Sequence, residues 1–197
     1  MLKIGLTGGM GSGKTIVSRI FSVLGVPVFY ADDAAKTVMN EDPELKQKIM
    51  SLFGAEAYLE DQLNRKYISS IVFNDPFKLE QLNVLVHPVT IAAADKWMQE
   101  QTSPYVIKEA ALMFEAGAAA HLDYVIGVFA PQAMRIQRAM QRDGITREQA
   151  LARINNQVDD NIKMKLCDFV IVNDEQQPVL PQVLKLHEKF LAIANGK

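Results

Sequence analysis

The strongest chemical signal in the chain lies at residues 8–15, which read Gly8-Gly9-Met10-Gly11-Ser12-Gly13-Lys14-Thr15. The spacing G-x-x-x-x-G-K-[ST] is that of a phosphate-binding loop, in which glycines let backbone N–H groups converge on phosphate oxygens. Lys14 is then expected to reach the β- and γ-phosphates, and the Thr15 hydroxyl to bind Mg²⁺. The segment therefore predicts a nucleoside triphosphate site.

The residues on either side supply the context that this motif requires. The apolar run 2–6 precedes it as a strand, and apolar residues from Ile16 to Leu24 follow with the spacing of one buried helix face. The alternative is a Gly- and Ser-rich turn that carries a lysine by chance, and such a turn does not need these flanks. The predicted phosphate ligands at the helix N-terminus are Gly9, Gly11, Ser12, Gly13, Lys14, Thr15 and Ile16.

Short apolar runs alternate with helical patterns along the chain. The predicted strands are residues 3–7, 26–30, 105–108, 124–129 and 169–172. Their nearly continuous apolar character is typical of strands that are covered on both faces. The chain is therefore predicted to be an α/β protein, with a parallel five-stranded sheet flanked by helices.

Two stretches are longer than a single crossover helix requires. Residues 31–103 are predicted to form an all-helical insert, and residues 143–166 a second one, in which Thr146 and Gln149 have the spacing of a capping box. We predict one domain over residues 1–197, with an acceptor-binding first insert and a lid as the second. The predicted helices of the first insert are residues 42–53, 66–73, 76–85 and 88–100.

The bulk composition limits the possible partners. Lys and Arg total 21 against 23 acidic residues, and the net charge of −2 argues against nucleic acid or an anionic membrane as the main partner. The single cysteine, Cys167, excludes an internal disulfide. No apolar stretch approaches the roughly 20 residues of a membrane helix. We therefore expect a cytoplasmic protein, a monomer or small homo-oligomer.

Two carboxylates are expected at the edge of the sheet where ligands bind. Asp32 follows the second predicted strand, so it could accept a proton from an acceptor hydroxyl or help to place Mg²⁺ through water. It could equally be a helix N-cap, although Asp33 is the better candidate for that role. Glu109 ends the third strand, where it either holds Mg²⁺ through water or is a solvated charge.

Four arginines and one histidine are further candidates for ligand binding. Arg135, Arg138 and Arg142 share one face of a helix, either as a solvated stripe or as partners of the triphosphate. Arg65 and His87 are the candidate polar residues of the first insert. His87 is interpreted by default as the N-cap of a helix that begins at Pro88. Apart from Lys14, the isolated lysines are interpreted as solvated surface.

Taken together, these residues resemble the dephospho-coenzyme A kinase family over nearly the whole chain. None of the motifs after the phosphate-binding loop is specific by itself, but the order and spacing of these motifs are specific. The matching segments are Gly5 to Lys14, Ala31-Asp32, Leu63 to Arg65, His87-Pro88, Leu112 to Glu115, Arg138 with Arg142, Gln157 and Asn173.

The resemblance implies a phosphate-loop kinase similar in fold to the nucleoside monophosphate kinases. It implies that ATP phosphorylates the ribose 3′-hydroxyl of dephospho-CoA, with Mg²⁺ bound by Thr15 and, through water, by Glu109. Asp32 becomes the favoured general base and, with Arg65, His87 and Glu115, marks the acceptor side. The residues implied in catalysis are Asp32, Lys14, Arg138 and Arg142, the two arginines on the phosphate side.

The chain also departs from that family pattern. Many relatives have an acid where Tyr30 stands, Asp where Glu109 stands, Pro where Ala111 stands and Gln where Arg135 stands. Two other functions stay open: another small-molecule or nucleotide kinase, and a nucleotide-operated switch. A guanine-specific switch commonly carries Asn-Lys-x-Asp, and this tetrapeptide does not occur in the sequence.

Overall fold

A computed structural model describes residues 1–72 and 74–196 of the chain. Phe73, the last residue of the predicted helix 66–73, and Lys197, the end of the predicted domain, lie outside the described residues. The strands are β1 Leu2–Thr7, β2 Val28–Tyr30, β3 Tyr58–Leu59, β4 Gln62–Leu63, β5 Tyr105–Glu109, β6 Tyr124–Phe129 and β7 Phe169–Val172. The helices are α1 Lys14–Val23, α2 Ala31–Glu41, α3 Pro43–Phe53, a 3₁₀ turn Ala55–Ala57, α4 Arg65–Val72, α5 Pro76–Gln99, α6 Gln132–Asp143, α7 Arg147–Asn155, α8 Asp160–Lys165 and α9 Val179–Ala194.

The larger sheet has the order β2-β5-β1-β6-β7, and every neighbouring pair is parallel. This confirms the predicted fold class, and the predicted strands agree with the observed ones to within two residues at either end. Because the strands are parallel, their carboxyl ends meet at one edge, where open α/β sheets bind ligands. The phosphate-binding loop, residues 8–13, leaves the central strand β1 at that edge.

The chain divides into two compact units, residues 1–30 with 100–196, and residues 31–99. In the first unit the sheet packs against α1 and α9 through a core of fully buried side chains such as Ile4, Phe21 and Phe190. The core includes a cluster of aromatic side chains. The centre of the Phe190 ring lies 5.4 Å from that of Phe169 and 5.5 Å from that of Tyr105. These contacts hold the sheet whose edge carries the loop.

The unit of residues 31–99 has its own apolar core, formed between α3, α4 and α5 around Leu45, Ile49 and Ile68. Asp42 caps α3 by accepting the Leu45 amide, and Pro43 occupies the first helical position. The prediction of an all-helical insert is wrong, because β3 and β4 form an antiparallel hairpin here. The hairpin residues Glu60 and Asp61 have positive φ, a turn signal that the helical interpretation overlooked.

The helices predicted at 76–85 and 88–100 are a single helix, α5. His87 is therefore not an N-cap, because Pro88 lies inside the helix. The missing N–H of Pro88 leaves the carbonyl of Val84 without its helical donor. Val84 is 66% exposed, so water can supply the hydrogen bond, and the helix continues.

Asp33 is not a cap either, because α2 begins at Ala31 and includes both Asp32 and Asp33 in its first turn. Its carboxylate accepts a hydrogen bond from Lys36 one turn later, at 2.5 Å. A carboxylate in the first turn is still favoured by the helix dipole.

The second insert contains α7 and α8, and the predicted capping box at its start is confirmed. Thr146 Oγ1 accepts the Gln149 amide at 3.3 Å, while Gln149 Oε1 accepts the Thr146 amide at 3.0 Å. Helix α7 packs on α6 through Ala150 and Ile154. Among the described residues, no helix combines the length and apolar character that crossing a bilayer demands.

Replacement of Phe190 by alanine tests the core of the sheet unit. We expect Phe190→Ala to lower the free energy of unfolding by about 3–5 kcal/mol, because the side chain is fully buried among aromatic rings. Leu180→Ala on the same helix is the matched control, since Leu180 is 51% exposed and should change stability by less than about 0.5 kcal/mol. Chemical denaturation of both variants makes the measurement, and equal losses would contradict the assigned core.

Candidate functional site

The backbone of the phosphate-binding loop takes conformations that require glycine. Gly11 has φ 78° and Gly13, the N-cap of α1, has φ 98°. The surroundings leave no room for a side chain at either position. A Cβ atom on Gly11 would lie 2.3 Å from the Arg135 carbonyl oxygen, and one on Gly13 would lie 2.2 Å from Asn173 Nδ2.

The carbonyls of Met10, Gly11 and Ser12 are held from behind the loop by side chains. Arg135 Nε donates to Met10 O at 2.9 Å, and Arg138 Nη1 donates to Gly11 O at 3.4 Å. Asn173 Nδ2, directly after β7, donates to Ser12 O at 2.8 Å. In a trans peptide unit the C=O and the following N–H point in opposite directions. The N–H groups of Gly11 and Gly13 must therefore point away from these anchors.

Two amides of the predicted cradle donate within the loop itself. Ser12 N donates to Gly9 O at 3.1 Å, and Ile16 N donates to Gly13 O at 3.0 Å. The Ser12 hydroxyl is buried and has no hydrogen-bond partner among the described residues, whereas the Ile16 side chain is exposed. Phosphate contacts of Ser12 and Ile16 stay predictions.

Lys14 and Glu109 lie close together at the edge of the sheet. Lys14 Nζ is 3.8 Å from Glu109 Oε1, and both side chains are about nine-tenths buried. Glu109 is the last residue of β5, which lies beside β1, so neighbouring strand ends bring the two charges together. The glutamate is therefore not a solvated charge at a strand end, and it sits one side chain away from the loop.

The three arginines of α6 have three different environments, so the helix face is not a uniform solvated stripe. Arg135 is 2% exposed and forms an ion pair with Asp160. Arg138 is half-buried and donates to the carbonyl of Asn173 as well as to Gly11. Arg142 is exposed and makes two hydrogen bonds to its neighbour Asp143, at 2.7 Å and 3.0 Å.

A buried lysine in the second insert was missed by the sequence interpretation. Lys163 is fully buried in α8, and its Nζ donates to Ala111 O at 3.1 Å and lies 2.9 Å from Glu115 Oε1. The same Glu115 oxygen accepts the Val158 amide at 3.0 Å. Burial by itself raises the pKa of Glu115, but the hydrogen bonds from Lys163 and from Val158 outweigh it, and the pKa lies below its usual value.

The remaining predicted acceptor residues belong to the unit of residues 31–99. Asp32 is exposed in the first turn of α2, and Arg65 is exposed at the start of α4. His87 is half-buried within α5, and burial lowers its pKa. A neutral imidazole can accept as well as donate a hydrogen bond, which suits it to a polar ligand.

Gln157 also contacts the loop, as its Oε1 accepts the Met10 amide at 3.0 Å. A cavity of about 420 Å³ lies beside these anchors, lined in part by Phe129, Gln132 and Arg135. Within residues 1–72 and 74–196 no group of three or more His, Cys, Asp or Glu side chains could hold a metal ion.

Comparison with known proteins places these features in one family. The family model described as dephospho-CoA kinase matches residues 2–178. The chain is 35% identical to a dephospho-CoA kinase of Bacteroides fragilis over 94% of its own length and 91% of that relative. It is 40% identical to the dephospho-CoA kinase of Salinibacter ruber, with 100% of both chains covered.

Solved structures give the same result. A crystal structure from Thermus thermophilus is similar with a TM-score of 0.82 and 30% identity, covering 97% of this chain and 96% of that one. A dephospho-CoA kinase from Campylobacter jejuni is similar with a TM-score of 0.70 and 28% identity, covering 98% of each chain. A shikimate kinase from Acinetobacter baumannii, at a TM-score of 0.55 and 16% identity over 98% of this chain and 94% of that one, shares the fold.

The buried lysine can be tested by stability measurements. Lys163→Met should lower the free energy of unfolding by roughly 1–3 kcal/mol, because it leaves the Ala111 carbonyl without its donor and the Glu115 carboxylate without its cationic partner. Lys165→Met, an exposed change on the same helix, should stay within about 0.5 kcal/mol of the wild type. If denaturant titrations give both variants the same stability, the burial of Lys163 is wrong.

Proposed function

This chain belongs to the dephospho-CoA kinase family, and we propose that it transfers the γ-phosphoryl group of ATP to the ribose 3′-hydroxyl of dephospho-CoA. The products are CoA and ADP, and the reaction is the final step of coenzyme A synthesis. The observation that carries the proposal is the complete phosphate-binding loop at the carboxyl edge of the sheet, with Lys14 and Glu109 beside it. We place the reaction in the cytoplasm, in a monomer or small homo-oligomer, with no nucleic acid or membrane partner.

The loop is proposed to bind the triphosphate through backbone amides. Gly11 and Gly13 direct their N–H groups away from the carbonyl anchors, at the N-terminus of α1 where the helix dipole favours an anion. Lys14 then neutralises charge on the β- and γ-oxygens, which matters most as charge develops in the transition state. Such transfer depends on positioning and electrostatics more than on covalent chemistry.

The same strand edge offers oxygen donors for Mg²⁺. The hydroxyl of Thr15, exposed in the first turn of α1, would bind the ion directly, and Glu109 would hold it through water. The ion, when bound, screens the charge between the β- and γ-phosphates. Since Glu109 Oε1 lies 3.8 Å from Lys14 Nζ, the carboxylate also orients the lysine toward the phosphates.

The acceptor is proposed to bind through three residues of the first insert and through Glu115. Asp32 is the candidate base, which orients the 3′-hydroxyl and takes its proton as the new P–O bond forms. Arg65 and His87 are proposed to bind polar groups of the acceptor. Glu115 uses Oε1 for both Lys163 and Val158, and we assign its Oε2 to the acceptor.

Arg138 and Arg142 are proposed to contact phosphate oxygens during transfer. Arg138 is already next to the loop, because it donates to the carbonyl of Gly11. Arg142 must first exchange its exposed pair with Asp143 for the phosphate. Exposed pairs of this kind contribute little stability, so the exchange costs little.

The function is tested by the reaction itself. Purified protein is incubated with ATP and Mg²⁺ and with dephospho-CoA, a nucleoside monophosphate, shikimate or no acceptor, and the products are identified by mass. We expect phosphorylation of dephospho-CoA alone, and Lys14→Ala should abolish most turnover while circular dichroism shows an intact fold. Transfer to another acceptor would make the chain a different small-molecule kinase. ATP binding with no acceptor-stimulated ADP release would favour a nucleotide-operated switch.

The role of Asp32 is tested against its neighbour. Asp32→Asn should lower kcat by about 10²- to 10⁴-fold with little change in ATP affinity, because the amide cannot accept the proton. Asp33→Asn is the matched control, since it changes the same charge and removes only an exposed pair with Lys36. Steady-state kinetics on both variants decide the assignment, and a critical Asp33 beside a dispensable Asp32 would reverse it.

A further inference from the structure

A buried ion pair lies directly against the phosphate-binding loop. Arg135 donates from Nε to Met10 O, and its guanidinium is paired with Asp160, the first residue of α8. A Cβ atom on Gly9 would lie 2.1 Å from Arg135 Nη2 and 2.7 Å from Asp160 Oδ1. Both charges are therefore in contact with the loop backbone at Gly9.

The turn between α7 and α8, residues 156–159, makes a second contact at the same place. Gln157 from this turn accepts the Met10 amide, while Arg135 binds the Met10 carbonyl. Both polar groups of the Met10 backbone are thus held. The turn binds the amide through Gln157, and Arg135, which is paired with Asp160 of α8, binds the carbonyl. The position of the second insert and the shape of the loop are mechanically linked through Met10.

The charge of Asp160 has a consequence for an anionic ligand. A carboxylate next to Gly9 opposes a triphosphate in the loop, and in a partly buried site the repulsion is screened by solvent much less than at the surface. Arg135 compensates this charge. Asp159 also faces the guanidinium, but it is exposed, and its Oδ1 caps α8 by accepting the amides of Asn161 and Ile162.

We propose that Arg135 and Asp160 are positioning residues for the triphosphate, through which the second insert sets the shape and the charge of the phosphate-binding loop. In this proposal both side chains act through the loop backbone and not by binding the nucleotide themselves. Arg135 holds Met10 in place and removes the repulsion that Asp160 would otherwise exert. The inference rests on the proposed function only in that the loop binds ATP, and it does not depend on the acceptor.

The test measures the Kd of Mg·ATP by calorimetry without an acceptor. Arg135→Gln should weaken binding by roughly 10- to 100-fold, because it leaves the Asp160 carboxylate uncompensated beside the loop. Adding Asp160→Asn should restore the Kd to within about threefold of the wild type, since no buried charge is then left unpaired and Gln can still donate to Met10 O. Arg135→Gln with Asp159→Asn is the matched control, with the same charge change one residue away, and it should not restore binding.

Three outcomes would overturn the proposal. They are an unchanged Kd in folded Arg135→Gln, even if its Tm falls, which would make the pair merely structural; no rescue by Asp160→Asn; and equal rescue by Asp159→Asn. If Arg135→Gln does not fold, Arg135→Lys replaces it, because lysine keeps the charge opposite Asp160. Its Kd should stay within about fivefold of the wild type, and a loss of tenfold or more would show that charge compensation is not the reason.

In turnover assays the same variants should show a split between the two substrates. KM for ATP should rise in Arg135→Gln, whereas KM for dephospho-CoA should not change, because the pair acts on the phosphate loop alone. A wild-type enzyme without activity on dephospho-CoA would refute the proposed function and leave the binding result intact. The two failures are thus distinguishable.

Discussion

The site depends on how the carbonyl groups of the phosphate-binding loop are satisfied. A loop that turns its amides toward an anion must turn its carbonyls the other way, into protein, where an unpaired carbonyl is costly. Here Arg135, Arg138 and Asn173 each take one of the carbonyls from Met10 to Ser12. Two of these donors are cations, but each is paired with a carboxylate, Arg135 with Asp160 and Arg138 with Glu175. The loop carbonyls are thus held by side chains on one side, which leaves the amides of Gly11 and Gly13 directed to the other side.

The strand order of the sheet is what brings these donors to the loop. The loop follows β1, the arginines lie on α6 after β6, and Asn173 follows β7, while β1, β6 and β7 are neighbours in the sheet. On the other side, β5 brings Glu109 next to Lys14. The loop, Glu109 and Asn173 therefore lie at the carboxyl ends of neighbouring strands, and the packing of Phe190 and its aromatic neighbours supports that sheet. Loss of that core would move every anchor at once.

The sheet and the phosphate-binding loop could be predicted because the signal for each lies in consecutive residues. Buried parallel strands are short apolar runs, and a phosphate-binding loop is an unbroken motif. The helix across Pro88 was missed because a proline usually ends a helix, and only the exposure of Val84 shows why this one does not. Lys163 was taken for surface because a single lysine in a six-residue helix carries no periodic signal.

The supports of the loop could not be predicted, since they join residues that are far apart in the chain. Gln157 and Met10 are 147 positions apart, and Arg135 and Met10 are 125. The available signals came from the family pattern, which Gln157 and Asn173 match and from which Arg135 departs, and the structure pairs Arg135 with the acid Asp160. A buried cation that replaces a neutral residue needs a compensating charge nearby.

The ion pairs also show that the two helices of the second insert, α7 and α8, are held by different kinds of contact. Helix α8 is bound by Arg135 with Asp160 and by Lys163 with Glu115, so moving it away would leave buried charges unpaired at a cost of several kcal/mol. Helix α7 meets α6 through an apolar cluster that includes Ile136, Ala150 and Ile154. The exposed Arg142–Asp143 pair lies where α6 ends, before α7 begins. Helix α8 is thus coupled to the phosphate-binding loop through the buried Arg135–Asp160 pair, whereas α7 contacts α6 mainly through apolar side chains.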